Sequence, residues 1–67
     1  MKTNFAIFSV ENKPLFIDKE TNVNIQKGDY VMINDKIYTC ISVIFDIDRG
    51  TRTLYIATDK YIHEHNL

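Results

Sequence analysis

The stretch Lys27–Thr58, KGDYVMINDKIYTCISVIFDIDRGTRTLYIAT, decides the fold. Its apolar residues alternate with polar ones at a period of two, and turn-forming clusters interrupt that alternation twice. Lys27-Gly28-Asp29 opens it as a corner: glycine supplies a backbone angle that other residues avoid, and the aspartate can bond to nearby backbone. Tyr30 to Ile33, a tip at Asn34-Asp35-Lys36, and Ile37 to Ile47 then read as a hairpin. Asp48-Arg49-Gly50-Thr51 turns the chain again, and Arg52 to Thr58 returns. The arm Ile37–Ile47 is long for a small domain, so it must bend or carry a bulge to stay on one core.

Working outward, Asn4 to Val10 and Leu15 to Asp18 form a second predicted hairpin around Glu11-Asn12-Lys13-Pro14, where proline cannot donate to a ladder. A four-residue loop there pairs Val10 with Leu15 and Phe8 with Ile17. Val23-Asn24-Ile25-Gln26 alternates like a short half-buried strand. Asp59 to Leu67 has no clean period, leaving a short helical turn around Tyr61 and Ile62 or a last edge strand. Ten Ile, four Val, six Thr, four Phe and four Tyr stand against two Ala and three Leu. That is a strand composition. The expectation is an all-β single domain over residues 1–67: a small barrel or strongly bent antiparallel sheet of five to six strands, its N-terminal hairpin packed on a central meander.

Register divides the meander into two faces. A three-residue tip pairs Ile33 with Ile37 and Val31 with Thr39. A four-residue turn pairs Ile47 with Arg52, Phe45 with Leu54 and Val43 with Ile56. One face then carries most large aliphatics. The other carries Tyr30, Met32, Tyr38, Cys40, Ser42, Ile44, Tyr55 and Ala57, which is too apolar for open water. Either the N-terminal hairpin or another subunit covers it, or it is a binding surface, with Tyr30, Tyr38 and Tyr55 as the candidate contacts because tyrosine joins a flat apolar body to a hydrogen-bonding tip.

Sixty-seven residues bury little surface, and the usual staples are missing, because Cys40 is the only cysteine and no Cys/His spacing suggests zinc. Oligomerisation is the remaining device, so a homo-oligomer is expected. Cys40 reads as a small buried hydrophobe in a reducing compartment. Neither a leader-like segment nor an apolar run of about 20 residues is present, so the expectation is a cytoplasmic protein with no membrane partner. A net charge of −1 gives no general pull toward nucleic acid.

Arg49 and Arg52 flank the last hairpin tip and can clamp phosphate or carboxylate oxygens of a partner protein or small anionic ligand. Local pairing with Asp46 and Asp48 is the competing account. His63-Glu64-His65 brings two imidazoles to one side if the tail is extended, but further metal ligands are missing. No phosphate loop, nucleophile set or carboxylate pair is recognisable, so neither an enzyme nor a cofactor is expected.

Across Gln26 to Phe45 the pattern Lys-Gly-Asp-Tyr-Val, a polar turn, then Lys36-Ile37-Tyr38 and an alternating strand resembles the opening of SH3-like small barrels. It also looks like short proteins carried by phages and mobile elements. The resemblance covers about a third of the chain, and Asn34-Asp35 stands where such proteins often have glycine. It implies a binder or inhibitor of a host factor, an immune protein or its nucleotide signal, in a bacterial cytoplasm. A nucleic-acid or virion accessory role is the alternative.

Overall fold

Asn34 and Asp35 both hold positive φ, 52° and 66°, and they alone join β3 (Tyr30–Ile33) to β4 (Lys36–Asp46). Two consecutive left-handed residues make the tight turn whose twist matches that of the flanking strands. In the computed structural model, which covers residues 1–67, Ile33 therefore faces Lys36 and Val31 faces Tyr38. The expected three-residue tip is corrected by one residue. The slip puts Tyr38 beside Val31 and sends Ile37 to the other face with Met32.

The long arm does carry a bulge. The β4 ladder with β5 (Thr51–Ala57) shifts between Cys40 and Ser42, leaving Ile41 unpaired. Beyond an extra residue the alternation inverts. Tyr38 and Cys40 thus share the inner face with Val43, which pairs with Leu54. The expected run of Tyr38, Cys40, Ser42 and Ile44 on one face is split at this point. At the tip Phe45 meets Arg52, not Leu54, because the turn is Ile47–Gly50.

The five strands form one sheet in the order β2-β1-β5-β4-β3, curled into a half-barrel. Strand β1 (Lys2–Phe8) pairs antiparallel with β2 (Leu15–Glu20) and parallel with β5. The N-terminal hairpin therefore lies edge to edge with the meander and covers neither of its faces. Its register is corrected too: Ile7 faces Leu15 and Phe5 faces Ile17, because the loop before β2 runs from Ser9 through Pro14. Phe8 consequently points away from Ile17.

Strands β2 and β3 occupy opposite edges, so the connection between them, residues 21–29, must cross the sheet. It crosses the inner face, where Ile25 packs on a core of Phe5, Ile7, Ile33, Tyr38, Cys40, Leu54 and Ile56. Residues 23–26 are not a strand, since no neighbouring strand offers a ladder; two of their backbone N–H groups donate to side chains instead. Gln26 N–H donates to Asp29 Oδ2 at 2.8 Å, and Val23 N–H to Thr21 Oγ1 at 3.2 Å. The Lys27-Gly28-Asp29 corner forms as its sequence implies, with Gly28 at φ 95°. Gly28 N–H donates to Cys40 O and Cys40 N–H to Asp29 O, both at 2.8 Å.

The tail is helical: α1 spans Asp59–Glu64, and Thr58 Oγ1 accepts from Tyr61 N–H to cap it. It folds onto the outer face, where Tyr61 lies 5.5 Å from Phe8 and Phe8 lies 6.3 Å from Tyr55 between ring centroids. Ala6 and Ala57 are thereby buried. No helix is long and apolar enough to cross a membrane.

Candidate binding surfaces of the sheet

The three candidate tyrosines go to three environments. Tyr30 remains on the outer face, 75% exposed. Tyr55 is half-buried, with Phe8 stacked on it, so this part of the outer face is a small second layer of the protein's own core. Tyr38 belongs to the inner core, carried there by the tight turn and the bulge.

Arg49 and Arg52 do not form a clamp. Arg49 is exposed and pairs with Asp46, its Nη1 donating to Oδ2 at 3.1 Å while its backbone N–H donates to Oδ1. Arg52 is only 5% exposed. Its Nε donates to Thr3 Oγ1 at 2.8 Å and its Nη2 to Val23 O at 2.6 Å and Thr21 O at 3.4 Å. Successive positions in a strand face opposite ways, and Arg52 lies on the inner side with Leu54 and Ile56. The guanidinium there fastens the crossing connection to the sheet.

The two histidines do not share a side either. His63 lies in α1 and His65 caps it, so the helix separates them by about 200° around its axis. The His65 ring stacks on Tyr61 at 4.0 Å, and its Nδ1 sits 2.9 Å from Tyr61 O. Cys40 is buried, its Sγ 3.6 Å from Ser42 O. Burial raises its pKa, the Ser42 backbone bond pulls the other way, and the Asp29 charge adds to the rise.

Both sheet margins are open, but they differ in chemistry. The β2 margin carries Asp18, Lys19 and Glu20, which discourage added strands. The opposite margin is made of β3 and the half of β4 that β3 does not reach, Ser42–Asp46. Its sequences Tyr30-Val31-Met32-Ile33 and Ser42-Val43-Ile44-Phe45-Asp46 carry charge only at Asp46, the last residue. Tyr30, Met32, Ile37, Ile44 and Phe45 are all exposed along it. Beneath β3 the seam with the crossing connection opens a shallow trough of about 430 Å³, walled mainly by Phe5, Val23, Ile25, Val31 and Ile33. Sequence reasoning missed Ile37 here. The signal was present: Asn34-Asp35 is two-residue turn chemistry, and reading it so turns Ile37 outward.

No protein-family model, curated protein or solved structure matches the chain.

Proposed function

We propose that the protein is a non-enzymatic, homo-oligomeric binding protein that self-associates along its β3–β4 sheet margin. One observation carries this reading: charge along an exposed strand edge discourages added strands, and the β2 margin carries Asp18, Lys19 and Glu20 beside exposed Leu15 and Phe16, whereas the β3–β4 margin past the Ile41 bulge carries charge only at Asp46. An antiparallel, two-fold pairing of Ser42–Asp46 with the same strand of a second copy keeps outer face with outer face and sets Ile44 against Ile44 of that copy. A standard interface needs about 800 Å² from each partner, roughly a sixth of the 4923 Å² that one chain exposes. Such burial adds apolar contacts that a chain of this length cannot supply alone.

In the phage or mobile-element setting that the sequence resembles, the target of such a binder is a host protein or the nucleotide that signals to it. The margin offers no row of cations to neutralise a nucleic-acid backbone, so a nucleic-acid accessory role is the weaker reading. Light scattering on the purified protein at tens of micromolar tests the proposal. A dimer or higher oligomer is expected, with Ile44→Lys shifting it to monomer while the far-ultraviolet circular dichroism spectrum is kept. A wild-type monomer under those conditions, or an oligomer indifferent to Ile44→Lys and Met32→Lys, overturns it.

A further inference from the structure

At the end of the half-barrel opposite the Asp46–Thr51 tip, the Ser9–Pro14 loop and the Asn34-Asp35 turn overhang the inner face. A cleft of about 690 Å³ lies between them, within the range of about 300–1,000 Å³ typical of small-molecule sites. Tyr38 lines it. Its ring sits in the core and the residue is 8% exposed, yet its hydroxyl bonds to no protein group. No fully buried side-chain nitrogen or oxygen lacks a partner, so this hydroxyl meets solvent, and the cleft is the cavity that Tyr38 lines. A phenol held by core packing with a free hydroxyl at its tip is a donor fixed in advance.

Lys13 and Lys36 line the same cleft, neither within 4.0 Å of a carboxylate. Asn12, Asn34 and Ser9 add amide and hydroxyl donors from the two overhanging loops. Glu11 is the single acid on the rim, so the lining carries more positive than negative charge. Two lysines, a phenol and neutral donors lining one small concavity suit an oxyanion with several acceptor oxygens. We propose that this cleft is a binding site for the phosphate group of a small molecule. It lies outside the Arg49 and Arg52 positions, and needs no second copy of the chain.

Amide-resolved NMR titration of the full chain with adenosine monophosphate, inorganic phosphate and adenosine tests the proposal. Both phosphate-bearing probes are expected to shift the amides of Ser9, Asn12, Asn34, Lys36 and Tyr38 to saturation, and adenosine to leave them in place. A tighter response to the nucleotide identifies a phosphomonoester as the source of the anion, and a response to inorganic phosphate alone identifies the free ion; either supports the site. Tyr38→Phe keeps the ring and removes only the hydroxyl, and the pair Lys13→Ala and Lys36→Ala removes the charge. Each is expected to weaken binding about tenfold or more with a dispersed native spectrum retained. The proposal is overturned if neither phosphate probe saturates, if adenosine binds as well as its monophosphate, or if Tyr38→Phe and the lysine variants both titrate like the wild type.

Discussion

Arg52 Nε donates to Thr3 Oγ1 at 2.8 Å, and the same hydroxyl donates in turn to Met1 O at 3.3 Å. The bond joins the two central strands across 49 residues of sequence. Through its Nη2 the guanidinium then reaches the connection that crosses the core. Arg52→Ala is expected to release that connection and lower stability by about 2–3 kcal/mol, the scale of lost charge-assisted bonds plus the packed alkyl stem. Thr3→Val keeps the shape but leaves Nε unbonded, for a loss of about 1–2 kcal/mol. Urea midpoints check both, and amide exchange at residues 21–26 should rise more in the arginine variant.

Asp35 holds φ 66° without being glycine. Aspartate tolerates the left-handed region less well than asparagine or glycine, and Asn-Gly is the favoured pair for this turn. Asp35→Gly should therefore raise stability by about 0.5–1 kcal/mol, read as a higher urea midpoint with an unchanged slope.

Burial lifts the Cys40 pKa in the folded chain. The unfolded thiol ionises near its ordinary value of about 8.5, so between that value and the raised one the native state holds more protons than the unfolded state. Stability must then fall as pH rises through this alkaline window, and the contribution is fully present below it. Cys40→Ala removes the term: its stability should decline less steeply than the wild type between neutral and alkaline pH, in parallel urea titrations. Modification of Cys40 by a thiol reagent should follow the opening of the fold, since the Sγ is inside.

Thr58 caps a helix of six residues, and a helix that short has no stability of its own. Thr58→Ala should cost about 1 kcal/mol and expose α1 to amide exchange before the sheet. Tyr61→Ala removes the ring that packs at a tilt on Phe8 and should do the same while uncovering Ala6 and Ala57. Equal protection of α1 and β5 in both variants would contradict this account.

The existence of the strands, their turns and the bend in the long arm were readable because each rests on local chemistry: period-two alternation, Gly28, Gly50, Pro14, and an arm too long to stay straight. The faces were less readable. One residue at the Asn34-Asp35 turn and one at Ile41 each invert the alternation, and together they carry Tyr38 and Cys40 inside and Ile37 outside. The site suffered accordingly: Tyr30 stayed a surface residue, Tyr38 became a core ring with only its tip free, and Arg52 became a fastening.

By itself the sequence determined an all-β chain with one bent arm, because strand composition and turn residues act over a few neighbours. Only the tertiary structure decided that β1 joins β5 in parallel, which puts β2 and β3 at opposite edges and forces residues 21–29 across the core. That pairing links residues far apart in the chain, and the closure of so long a segment depends on the sum of many contacts. The same closure leaves the β3–β4 margin open and brings the Ser9–Pro14 loop and the Asn34-Asp35 turn to one end of the sheet, beside the cleft that Tyr38 lines.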